Sequence, residues 1–221
     1  SSITGGTRPQ ACPASVVTST SLGCAFFRSS LGPNAAGLDA GKGINDILEI
    51  DLANVPAPAA GKGYYAWLIG SPANPESTSV LLRQLTVEHG NIHAVYQEPQ
   101  QNDLLTGTSV LLITEEASNV QPIAPSPDRS AWRYYDALSQ TPDPKDTTNH
   151  YSALDHLHHL LTADPQLENL NLHGGLGIWL QTNAQAIMKS AQQAQLAFTQ
   201  RTVQKFRIQL AGILTYLDSS V

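Results

Sequence analysis

Five of the seven histidines crowd into the C-terminal third of the chain: His150, His156, His158, His159 and His173. Imidazole is a common metal ligand and titrates close to neutral pH, so such a cluster could bind a metal or move protons. On a helix, Asp155 and His159 are neighbours at i,i+4 and His156 and His159 at i,i+3. Asp155, His156 and His159 would then present one carboxylate and two imidazoles to a divalent ion such as Zn²⁺, Ni²⁺ or Cu²⁺. The HExxH arrangement, which adds a general base between two ligands, is absent, because the fourth residue after His156 is Leu160 and no Glu intervenes. The competing expectation is a polar helix face on which Asp155 favours protonated His159, with no metal.

Signatures of nucleophilic catalysis are missing. No G-x-S-x-G elbow occurs, and a hydrolase triad dispersed along the chain would leave no local trace. Glu115 and Glu116 form an adjacent carboxylate pair, but neighbours on a strand point to opposite faces and cannot share one proton. The glycine runs at Gly37–Gly43 and Gly61–Gly63 lack the spacing of a phosphate loop and read as turns. His173-Gly174-Gly175 precedes a helical pattern, where it would allow Trp179 to pack closely beneath it. The expectation is a protein that is not an enzyme.

Cys12 and Cys24 are the only cysteines. Their spacing fits neither a C-x-x-C redox motif nor a zinc set. They lie in a stretch with few large apolar residues, where a disulfide closing a short loop would stabilise by roughly 3 kcal/mol. The expectation is a Cys12–Cys24 bridge and therefore an oxidising compartment. The aromatic residues gather at Tyr64-Tyr65-Ala66-Trp67 and Trp132-Arg133-Tyr134-Tyr135. On strands, alternate members would leave the core and line a patch, so Tyr65, Trp67, Trp132 and Tyr134 are candidate contacts for a small ligand, a glycan or a protein partner.

These groups must be held by two kinds of element. From Ala14 to about Leu138, short runs rich in Val, Ile, Leu and Tyr alternate with Gly, Pro, Asn and Ser, as in an antiparallel β domain. The strand candidates are residues 16–20, 23–29, 45–52, 64–70, 80–88, 91–97, 109–115 and 132–137. His89-Gly90-Asn91 reads as a tight hairpin that should pair the strands on either side. After a Pro/Asp-rich linker at 141–148 the period becomes helical: Tyr151 to Leu161, a second helix from Leu176 to Phe198 and a third from Val203 to Leu217. The expected architecture is α+β: an antiparallel β-sandwich with its N-terminal extension over 1–140, then a three-helix unit over 149–221 packed on the sandwich.

With 12 Lys+Arg against 18 Asp+Glu the net charge is −6, which removes the basic footprint of a nucleic-acid binder. No apolar run is long enough to span a bilayer, so membrane attachment would need an anchor lying outside this stretch. The segment Tyr64-Tyr65-Ala66-Trp67-Leu68-Ile69, the strands around His89-Gly90-Asn91, residues 109–116 and Pro122-Ile123-Ala124-Pro125 together resemble the extracytoplasmic C-terminal domain of membrane-anchored anti-sigma factors of the RskA type. The resemblance covers roughly residues 45–128. It implies a non-catalytic sensory or interaction domain of a bacterial envelope protein, secreted or membrane-tethered, and carries over no functional residues. The alternative expectation is an extracytoplasmic metal-binding protein centred on the histidine-rich helix.

Overall fold

Leu48, Ile50 and Leu52 alternate with Glu49 and Asp51, a period that gives a strand one apolar face and one polar face. In the structure, a computed structural model that describes residues 22–31, 42–70, 79–170 and 172–217, this segment is β2 (Ile47–Ala53). It lies between β1 (Gly23–Arg28) and β5 (Asn91–Gln97) in a three-stranded antiparallel sheet. A second antiparallel sheet has the order β4-β3-β6-β7, built from β3 (Lys62–Ile69), β4 (Ser79–Leu85), β6 (Val110–Ala117) and β7 (Trp132–Ala137). The expected strand at 16–20 lies outside the described residues.

Leu48 and Ile50 of β2 and Ile92 and Ala94 of β5 share one hydrophobic cluster with Tyr64, Ala66, Leu68, Leu82, Leu85 and Ile113 of the four-stranded sheet. The opposite face of β3 buries Tyr65, Trp67 and Ile69 in a second cluster with Val110 and Leu112. A strand covered on both faces must be apolar at nearly every position, which accounts for the unbroken run from Tyr64 to Ile69.

The His89-Gly90 turn is present but does not pair the strands beside it. His89 (φ 51) and Gly90 (φ 78) take up the left-handed conformations of a tight turn, closed by reciprocal Glu88–Asn91 backbone bonds of 2.8 and 2.9 Å. The ladder ends after that one pair. β4 runs beside β3 in one sheet and β5 beside β2 in the other, with Asp51 opposite His93. The turn therefore passes the chain between sheets.

Residues 141–148 form a hydrogen-bonded loop. Asp146 accepts from the amides of Thr148, Asn149 and Tyr151, and the Asp143 amide donates to the Tyr151 carbonyl at 2.9 Å. Four helices follow where three were expected: α1 (Ala153–Leu161), the five-residue α2 (Pro165–Asn169), α3 (Leu176–Thr199) and α4 (Val203–Leu217). α2 arises because Asp164-Pro165, which halts α1, also starts a new turn. The Asp164 carboxylate accepts from the Leu167 amide at 3.3 Å, and proline suits the first helical position. The chain is thus α+β and divides into two compact units, one holding the described residues 22–30 and 43–156 and the other the described residues 31, 42, 157–170 and 172–217.

Candidate functional site

β3 and β7 flank β6, so the two aromatic clusters do meet in one sheet. A register shift between Ile113 and Thr114 then decides which side chains face each other. Tyr134 stays opposite Ile113 and meets Tyr64 edge-on, with ring centroids 6.2 Å apart. The bulge turns Trp132 onto the other face, where it packs against the Tyr65–Trp67 cluster and stacks on Tyr135 at 6.1 Å. Arg129 sits over the Trp132 ring, 4.7 Å from its centroid.

The four candidate ligand residues are therefore split, with Tyr65, Trp67 and Trp132 on one face and Tyr134 on the other. Trp67 is 0% exposed and donates its indole N–H to Thr114 Oγ1 at 2.9 Å, so it is core and cannot touch a ligand at the surface. Tyr65 is also buried, although it forms one wall of a shallow cleft of about 310 Å³ with Arg83, Gln84, Asn119 and Gln121. Trp132 is half-buried and anchored by its indole N–H to the Ser126 carbonyl at 2.9 Å.

Glu115 and Glu116 diverge as strand neighbours should. The Thr114 hydroxyl donates to Glu116 at 2.7 Å, extending the hydrogen-bond chain that starts at Trp67. Glu115 is buried; it accepts from the Ala59 amide at 2.7 Å and from Arg133 Nε at 2.8 Å. The Ala59 amide, and after it the Arg133 guanidinium, hold the Glu115 carboxyl below its ordinary value of 4.5 against the opposing effect of burial. A carboxyl whose folded pKa is depressed adds stability above its unfolded pKa and loses it as pH falls through the folded value. Acid unfolding of the first unit should accordingly steepen below about pH 4.5, and Glu115→Gln should flatten that slope relative to the parent chain in urea titrations from pH 7 to pH 3. Asp103, whose carboxyl burial pushes up, contributes with the opposite sign, and comparison with Glu115→Gln separates the two.

On the histidine-rich helix the carboxylate has a structural task. Asp155 accepts from the Ser152 amide and hydroxyl, both at 2.7 Å, and the Asp155 amide returns a bond to Ser152 Oγ at 3.2 Å. This is a capping box at the start of α1, readable beforehand in Ser152-x-x-Asp155. The His156 ring lies edge-on to Tyr151 at 5.6 Å. Among the described residues, Asp155, His156 and His159 do not form a group whose ligand atoms all lie within 4.8 Å of one another.

Among the described residues one trio of metal-binding side chains does converge: Glu49, Asp51 and His93, whose ligand atoms all lie within 4.8 Å of one another. Glu49 and Asp51 are two residues apart on β2 and share its polar face, and the β2–β5 register sets His93 opposite Asp51. His93 Nδ1 is 2.6 Å from Asp51 Oδ1, and Arg28 Nη2 lies 3.3 Å from Glu49 Oε2. The alternation on β2 marked Glu49 and Asp51 as one-sided, but nothing local to His93 pointed to them.

Cys24 lies on β1, and no free thiol occurs among the described residues. Its expected partner, Cys12, lies outside them.

In the second unit, Gly174 (φ 94) and Gly175 let the chain pass against the end of α1, and Trp179 donates its indole N–H to the His173 carbonyl at 2.8 Å. The helical stripes are less covered than their period suggested. Leu176, Leu180 and Phe198 on α3, and Val203, Leu210, Leu214 and Leu217 on α4, are exposed, Leu180 and Phe198 by 72% and 71%. At 100° per residue each set falls within an arc of about 60°. Phe198 and Phe206, with ring centroids 5.9 Å apart, join the two stripes at the helix turn. Residues 176–217 carry Lys189, Arg201, Lys205 and Arg207 with no Asp or Glu, in a chain whose net charge is −6. No family model matches the chain, and no match emerges among curated proteins or solved structures.

Proposed function

We propose that the chain is a non-catalytic binding module of a bacterial envelope protein, working outside the cytosol, whose helical unit docks on an acidic helical segment of a protein partner. The observation that carries this reading is the exposed apolar face of α3 and α4 combined with four basic residues and no acidic ones. Large exposed apolar patches on folded proteins mark interaction sites. Leu210, Leu214 and Leu217 follow the alternating four- and three-residue spacing that receives a helix as knobs into holes, with Val203 one heptad before Leu210. A lipid surface would not require that spacing. Two copies of the face would bring like charges together, which disfavours self-pairing and favours an acidic partner.

Two further points support the module as a whole. Side chains of both sheets share one hydrophobic cluster, as the two layers of a β-sandwich would. The Tyr64–Ile69 segment, on which the likeness to RskA-type anti-sigma domains rests, lies in β3, one of the two inner strands of its sheet. A disulfide between Cys12 and Cys24 belongs to the same proposal.

The test uses a peptide with Leu at heptad positions a and d and Glu elsewhere, alongside a scrambled peptide of equal composition. Fluorescence titration should show saturable binding of the patterned peptide only, and Leu210→Glu with Leu214→Glu should weaken it by about tenfold or more. Both positions are exposed, so the fold should survive the change. Equal binding of the scrambled peptide, preference for anionic phospholipid vesicles, or dimerisation that consumes the face would overturn the proposal.

A further inference from the structure

We infer that Glu49, Asp51 and His93 form a binding site for a first-row divalent cation, with Zn²⁺ as the fitting probe. The inference is independent of the docking face, because it rests on side chains of the three-stranded sheet. Two carboxylate oxygens and one imidazole nitrogen make a mixed donor set. Imidazole favours Zn²⁺ and its neighbours over Ca²⁺ or Mg²⁺, which prefer oxygen alone. Three protein ligands with a fourth position open to solvent is a familiar zinc arrangement.

A second observation separates this trio from two ordinary cross-strand ion pairs. Glu49 is 3% exposed, and its Oε2 makes no hydrogen bond; Arg28 Nη2 stands 3.3 Å away without the geometry of one. Arg28 Nε is likewise buried without a hydrogen-bond partner. A buried carboxylate oxygen left in that state is costly, and a cation at the centre of the trio would satisfy it directly.

The surroundings permit the exchange. The Arg28 side chain is 41% exposed and could turn outward, releasing Glu49. The His93 side chain is 50% exposed, which opens a path from solvent and lets the ring move back from its 2.6 Å contact with Asp51. Ligands around a tetrahedral zinc stand roughly 3.3 to 3.5 Å apart, as bonds of about 2.0 to 2.2 Å require, so a shift of about 1 Å admits the ion. Two adjacent, paired strands hold the backbone of all three ligands.

Isothermal titration of the untagged chain with ZnCl₂ at pH 7 tests the site. A single saturable event is expected, accompanied by a rise in melting temperature, since an ligand that binds only the folded state stabilises it. His93→Ala and Asp51→Asn should each weaken binding by about tenfold or more, while His156→Ala with His159→Ala should leave it unchanged. Glu49→Gln should also weaken binding; as Glu49 is buried, circular dichroism would check its fold, and the exposed His93 keeps the test decisive if that variant unfolds. Unsaturable uptake, binding unaltered in His93→Ala, or binding that disappears with His156 and His159 would overturn the inference.

Discussion

Trp67→Ala should cost the first unit about 3 to 5 kcal/mol, the range for removing a large aromatic side chain from a packed core. Trp67 is 0% exposed, lies in the cluster with Tyr65, Ile69, Val110 and Leu112, and is held by the hydrogen bond from its indole to Thr114. Truncation leaves a cavity bordered by β6, the strand that also carries Glu115 and Glu116, so relaxation into the space would disturb the bonds to Arg133 and Ser126. Folded domains are stable by about 5 to 15 kcal/mol, so this one change removes a large share of the total. Urea unfolding monitored by circular dichroism measures it, and Trp67→Phe should lose distinctly less because most of the ring volume remains. A loss under about 1 kcal/mol for Trp67→Ala would mean that this side of β3 is not close-packed.

Gly175→Ala should have a larger effect than Gly177→Ala or Gly212→Ala in the helical unit. A Cβ there would lie well inside 3.0 Å of the carbonyl carbon and oxygen of Leu160 and of the Leu161 amide nitrogen. These are backbone atoms at the end of α1, and they cannot turn away as a side chain would. The first turn of α3 would have to move off α1, straining the Trp179–His173 bond and the short bridge between Ala163 and Gly174. Overpacking of this kind costs about 1 to 3 kcal/mol or somewhat more. Gly107→Ala makes the control, since nothing lies within 4 Å of its added Cβ. Melting curves followed by far-ultraviolet circular dichroism should show a clear downward shift for Gly175→Ala and almost none for Gly107→Ala; matching curves would show that the Gly175 contact yields easily.

Local periodicity and local chemistry were legible in the amino-acid order because they act over a few residues. Leu48-Glu49-Ile50-Asp51-Leu52 announces a strand with one buried face, the spacing from Leu176 to Leu217 announces helices, and His89-Gly90 announces a tight turn. Each depends on backbone geometry over one or two turns or pleats. Tertiary structure decided where those elements went. The strands beside the His89-Gly90 turn joined different sheets, because β5 finds its ladder on β2 and β4 on β3, a choice between partners distant in sequence. An extra residue on β7, Arg133, separated Trp132 from Tyr134, which simple alternation had placed together. The same long-range pairing set His93 opposite Asp51 and beside Glu49, whereas the acid of the histidine-rich helix is engaged in capping. Hydrophobic spacing marks which helix residues seek cover, but Leu180, Phe198 and Leu214 remain exposed because cover depends on what stands opposite, a relation between distant segments that a stripe on one helix does not encode.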